Sequence, residues 1–231
     1  MPYIRSQARD DFETGTNSLK KVAKKVSYKS SPLKYEQKML IFQSTIFLMS
    51  ARIEEYSKVL IEKIIFNFRS KNALMSEIPE NIRTKALIDN QLTHYRNFNH
   101  NPNERKLLEK ISCEKEYYDI LNPTNSFSNS IRANNILATN KYPSVKNLKI
   151  LFFRLGINDI FNEVASKGQK DYKSQLESFL SVREAIAHQV PPTLTYQDVE
   201  RHLENLTDLI NKIDRVVYSH IVKTSGENYW E

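Results

Sequence analysis

An arginine and a histidine stand close together near the end of Leu176-Glu-Ser-Phe-Leu-Ser-Val-Arg183-Glu-Ala-Ile-Ala-His188-Gln. A guanidinium keeps its charge and grips a phosphate with a planar fork. An imidazole takes or gives a proton near neutral pH. Together they suit the cleavage of a phosphodiester without a metal. Val190-Pro191-Pro192 follows at once and forbids the helix from continuing. Spacing alone is a weak signal, because an Arg four to six residues ahead of a His is expected about once by chance in such a chain. A second match exists, Arg215-Val-Val-Tyr-Ser-His220, among apolar neighbours that read as core.

The elements that must position the pair are helical. Phe12, Leu19, Val22, Ala23 and Val26 share a face of a first helix over roughly residues 8–27. Ser31 reads as an N-cap with Pro32 in the first turn of a helix reaching about Ser70. Met39, Phe42, Ile46, Met49, Ile53, Tyr56, Leu60 and Ile64 recur along it at three- and four-residue steps, and its length would be about 55 Å. Helices follow over 82–96 and 104–121, with a polar loop at 97–103. Residues 122–140, rich in Asn, Ser and Thr, read as a loop or insertion. Ser144 caps a helix that ends at Gly156. The Arg183 helix spans about 170–188. Thr195 and Asp198 then form a capping box for a last helix striped by Val199, Leu203, Leu206, Ile210, Ile213 and Val217. Residues 223–231, with Trp230, read as a flexible tail. The whole is expected to be one all-α domain over 1–231, an elongated bundle with one long spine helix.

On a regular helix Arg183 and His188 point about 140° apart. They converge only if the helix unwinds after Ala187, or if two copies of the segment meet across a twofold axis. In the bland reading Arg183 pairs with Glu184 or Glu177, and His188 caps the helix terminus. His94 and His100 flank a loop that reads as solvated rather than as a metal site, for want of nearby carboxylates, and His202 and His220 lie on the last helix. The pairs Asp10 with Asp11 and Glu54 with Glu55 diverge on their helices and make no metal clamp. Tyr117 and Tyr118 are of a type that stacks on bases, or packs in a core.

Composition narrows the partners. The chain has 231 residues, enough for a full core. Four Gly, no P-loop and no G-x-G-x-x-G argue against a phosphate-binding loop. One cysteine, Cys113, permits no internal disulfide and no Cys-rich zinc site. No cofactor or metal is expected. The Met39–Met49 run is too short to span a bilayer, so a cytoplasmic protein without a membrane partner is expected. Net charge is +7, with Lys20, Lys21, Lys24, Lys25, Lys29 and Lys34 in one stretch. Such a stretch suits a polyanion, because lysines displace counterions from a phosphate backbone, or equally a solvated basic helix face; Lys20, Lys21, Lys24 and Lys25 are the candidate residues for a polyanion such as RNA.

Three segments in order carry a family resemblance. Ser181-Val-Arg-Glu-Ala-Ile-Ala-His188 resembles the R-N-x-I-A-H signature of HEPN-domain proteins. Tyr142-Pro-Ser-Val-Lys-Asn-Leu-Lys-Ile-Leu-Phe-Phe-Arg-Leu-Gly156-Ile is similar to the P-S-x-x-N-[IVL]-x-x-L-F-x-x-L-G-[IL] segment of the RiboL-PSP subgroup, and Glu54-Glu-Tyr56 to its E-x-[YF]. The resemblance implies a helical bundle that homodimerises, with paired motif helices near the twofold axis. It also implies a metal-independent endoribonuclease of a toxin–antitoxin or antiphage system, with Arg183 and His188 catalytic and an antitoxin or defence-complex protein as partner. Glu184 stands where the family usually has Asn; Glu184 and Glu54 are candidate supporting residues. The alternative implied is a non-catalytic HEPN module that binds RNA or protein.

Overall fold

The computed structural model describes residues 2–100, 102–114, 118–137, 143–188 and 192–230. It is 76% helical, with no strands among the described residues, so the all-α expectation holds. One isolated antiparallel bridge joins Leu74 and Ser126. The helices are α1 (Gln7–Ser27), α2 (Tyr35–Ser70), α3 (Glu80–His100), α4 (Glu104–Cys113), α5 (Ala133–Leu137), α6 (Val145–Arg154), α7 (Ile160–Gly168), α8 (Tyr172–Ala187) and α9 (Tyr196–Thr224).

The described residues of Met1–Leu60, Asn140–Lys149 and Asp159–Val217 form one compact unit. Its core is the apolar stripe of α2 (Phe42, Ile46, Met49, Ile53, Tyr56, Leu60) and that of α9 (Val199, Leu203, Leu206, Ile210, Ile213, Val217), all buried. Asp214, fully buried, is the polar node inside it. Its carboxylate accepts from the Tyr3 hydroxyl and from the Ser6 hydroxyl and N–H, and from Tyr56 Oη at 3.2 Å. Buried carboxylates are tolerated when hydrogen-bonded in this way. Ser6 is also the N-cap of α1, so one side chain fixes where α1 starts and how the chain entrance docks. Lys20 of α1 bridges Glu200 and Glu204 of α9 at 3.0 and 2.7 Å.

Residues of Ile61–Thr139, Ile150–Asn158 and Tyr218–Glu231 that are described form the second unit. Here Ile61, Ile64, Ile65 and Phe68 of α2 are buried with Ile82 and Ala86 of α3, Leu151 and Phe152 of α6 and Ile221 of α9.

Several boundaries differ from expectation, each for a local reason. Helix α2 begins at Tyr35, not Pro32: the Gln37 side chain accepts the Lys34 N–H at 2.9 Å, which makes Lys34 the cap. Val22 is exposed on α1, whose buried face runs through Phe12, Thr16, Ala23 and Val26. Helix α3 continues through the residues read as a loop and ends at His100, while Asn103 caps α4 by accepting the Lys106 N–H. His94, within the helix as expected, is largely buried and lies 2.8 Å from Glu114, so a carboxylate does stand beside it. Within 122–140, Ala133–Leu137 is helical and Arg154 donates to the Ile136 carbonyl at 2.6 Å. Helix α7 is an element absent from the sequence reading. It is nine residues long, too short for its buried Ile160, Phe161 and Val164 to make a period, and its cap Asp159 accepts the N–H groups of Phe161 and Asn162.

The expected flexible tail is a correction. Trp230 is 2% exposed and packs edge-on against Tyr218. The Asn67 amide donates to the carbonyls of Tyr229 and Trp230, and the Tyr229 hydroxyl donates to Glu77 at 2.7 Å. An aromatic pair with satisfied polar groups docks well despite polar neighbours. Caps read from sequence are present at two sites. The Ser144 hydroxyl accepts the Asn147 N–H, and Thr195 and Asp198 exchange side-chain-to-backbone bonds.

Candidate active site

Helix α8 carries the motif. Asp171 starts it by accepting the Ser174 N–H at 3.0 Å and the Ser174 hydroxyl at 2.7 Å. Its buried face is Tyr172, Leu176 and Phe179, spaced four and three apart. Arg183 is the next position on that stripe. Its guanidinium therefore leans inward and lies 5.3 Å from the centre of the Phe47 ring of α2. A cation over an aromatic face is held in place by the negative face of the ring.

The helix is intact through Ala187 and stops there. His188 is its C-cap, with φ −105° and ψ 56°, and its N–H donates to the Glu184 carbonyl at 3.1 Å. The imidazole is 75% exposed and lies 3.9 Å from the Glu184 carboxylate, itself 71% exposed. A contact so open to water contributes little stability. Arg183 and His188 thus engage different neighbours, Phe47 and Glu184. One turns to the core and one to solvent, as an intact helix requires. Pro191, invoked to stop the helix, lies outside the described residues, as do Tyr142 and Tyr117.

Of the supporting candidates, Glu184 meets His188, whereas Glu54 is exposed and makes no ion pair among the described residues. Tyr56, two residues on, is the structural member of that segment: buried, edge-on to Phe12 and bonded to Asp214. Its hydroxyl is held well above the usual tyrosine range by burial and then by the Asp214 charge. Phe47 escaped the sequence reading, since a ring-to-guanidinium contact between distant helices leaves no local pattern.

The lysine cluster divides. Lys20 is committed to Glu204 and Glu200, whose bonds push its ammonium up to about 12. Lys21, Lys24 and Lys25 are exposed. The rival motif is split by role. Arg215 is exposed and stacks 4.4 Å over the Tyr3 ring, and His220 is half-buried, within 2.9 Å of the Leu155 carbonyl oxygen.

Among the described residues, no group of three or more His, Cys, Asp or Glu side chains is placed to hold a metal ion. No described helix is long and apolar enough to cross a membrane. In comparisons with known proteins, a family model described as RiboL-PSP-HEPN matches residues 11–219. No curated protein matches the chain, and no solved structure does.

Proposed function

We propose, from the premise that the chain belongs to the RiboL-PSP-HEPN family, that it is a metal-independent endoribonuclease acting as a homodimer in a toxin–antitoxin or antiphage defence system. Membership points to a ribonuclease or an RNA-binding module. The observation that carries the nuclease reading is the exposed His188 imidazole at the end of the helix whose inner face sets Arg183 against Phe47. A base that must reach a ribose hydroxyl has to be open to solvent, and a phosphate clamp has to be held still.

Because the two side chains diverge by about 140° on an intact helix, two copies of α8 facing across a twofold axis complete the site. His188 of one chain takes the proton from the ribose 2′-hydroxyl. The 2′-oxygen bonds to phosphorus, and the bond from phosphorus to the 5′-oxygen breaks. The second copy's imidazolium returns a proton to the leaving oxygen. Arg183 offsets the charge that grows on the phosphorane. The products are a 2′,3′-cyclic phosphate and a 5′-hydroxyl, and DNA, lacking the nucleophile, is not cut. The cytoplasm, where transcripts lie, is the compartment this reading implies.

Expression of the wild-type chain should slow growth and fragment RNA, and cutting should survive excess chelator. Arg183→Ala and His188→Ala should each abolish it, with little further loss in the double variant, since groups acting as one unit fail together. Arg215→Ala is the matched control and should still cut. Purified protein that binds RNA as a dimer but never cleaves it would instead favour the binding module, a reading to which Glu184 in the usual Asn position lends support.

A further inference from the structure

Helices α8 and α9 border an open groove of about 320 Å³ on the side of α8 turned away from Arg183. Ser174, Gln175 and Ser178 line it from α8, and Arg201, His202 and Asn205 from α9. Two features show a built site. The Gln175 Oε1 is buried with no hydrogen-bond partner. The His202 ring, 4% exposed, has the edge-on Phe179 ring against it and no side-chain hydrogen bond among the described residues. An unbonded imidazole that lines a groove offers a ligand both a donor and an acceptor.

The chemistry of the walls selects the ligand. Burial, and then the charge of Arg201, holds the His202 imidazole below its ordinary range despite Asp198. At neutral pH the ring is uncharged, with one donor and one acceptor. Gln175 and Asn205 add amide donors and acceptors. Of the carboxylates, Asp171 lines the groove and is engaged by Ser174, and Asp198 beside it is bonded by Thr195 and Arg201. Arg201 stands at the mouth, 65% exposed and 3.0 Å from Asp198. A pocket for bare phosphate would gather donors and cations. This one combines amide, hydroxyl and imidazole donors and acceptors with one lining cation, Arg201, at the edge, which suits the hydrogen-bonding edge of a nucleobase with its phosphate outside.

We infer that this groove is a base-recognition subsite for single-stranded RNA, reading one nucleotide a few positions away from the scissile bond. The inference rests on the RNA-directed reading above. Gln175 and Ser178 precede His188 by a span worth about 15–20 Å along a helix, so a strand lying along α8 reaches both.

The test uses the full chain and short 2′-O-methyl RNA homopolymers of A, C, G and U, which cannot be cleaved, read by fluorescence anisotropy. The wild type should prefer one homopolymer. Gln175→Leu and Arg201→Gln should each weaken that one by roughly tenfold and flatten the preference, the scale of one lost base contact. Gln175→Leu removes an unpartnered buried oxygen, so its Tm should hold or rise, and lost binding cannot be put down to unfolding. Unchanged affinity and preference in both variants would overturn the subsite while leaving the RNA reading intact. Failure of the wild type to bind any homopolymer would overturn both. In a second arm with nucleoside monophosphates, variants that lose the free nucleotide yet keep RNA binding would give the groove to a free nucleotide and overturn the inference.

Discussion

Glu184 follows Arg183 directly and reaches to 3.9 Å from the His188 imidazole. In the proposed phosphate cleft its charge would oppose the ligand, and at about 4 Å through water that repulsion is worth roughly 1 kcal/mol. Glu184→Asn restores the usual family residue and removes the charge. Cleavage rates should then rise by roughly fivefold to tenfold with Tm unchanged. A rate that stays level or falls in a gel-based RNA cleavage assay would mean that the carboxylate faces His188 and not the phosphate. At this scale the sequence was legible where chemistry is local: Arg183 and His188 stand at a helix end visible from the motif. It was opaque where contacts cross elements. Nothing near Phe47 announces a cation above its ring, and nothing near Lys20 announces Glu200 and Glu204.

Helix ends repeat the pattern. Those set by a side chain acting on its own backbone were readable, as at Ser144 and Thr195 with Asp198. Those set by competition or packing were not. Pro32 looked like a first-turn proline until Gln37 made Lys34 the cap, and the tail looked loose because the docking of Trp230 depends on Asn67 and Tyr218 far up the chain. Gly156 combines both kinds of control. Its φ of +97° suits the left-handed end of α6, as the sequence implied. A methyl group there would also lie 2.9 Å from His220 Nε2, which is held at the Leu155 carbonyl. Gly156→Ala should therefore lose about 1–3 kcal/mol from backbone strain and crowding together. Urea denaturation measures it, and a loss below a few tenths would show that both the turn and the imidazole relax freely.

Over the whole molecule, charge decides how the fold meets acid and, under the proposed function, how it would meet RNA. An unfolded His202 titrates near 6.5, and the folded one lower, because burial and then Arg201 disfavour its charged form. The unfolded chain then binds the proton more readily, so this contribution to stability is complete above about pH 6.5 and is lost as pH falls below it. A second decline belongs to Asp208, whose Lys170 and Tyr172 bonds outweigh its burial, and to Asp198, bonded by Thr195; both sit below the usual 3.8. Urea midpoints should be level above neutrality and fall in two stages. His202→Gln should flatten the first; if that stage persists, another group owns it. RNA affinity should depend on a different set of charges. Of the lysine cluster, Lys21, Lys24 and Lys25 are exposed while Lys20 is bound to α9. Each lysine that meets a phosphate on a single strand adds about 0.7 to the slope of log affinity against log salt. Replacing Lys21, Lys24 and Lys25 together by Gln should lower that slope by about 2 and leave Tm unchanged. Lys20→Gln should do the reverse, shifting Tm through the lost bridge between α1 and α9 with little effect on slope. An unchanged slope in the triple variant, measured by anisotropy from low to moderate salt, would take α1 out of the RNA path and leave only the α8 side of the chain to carry it.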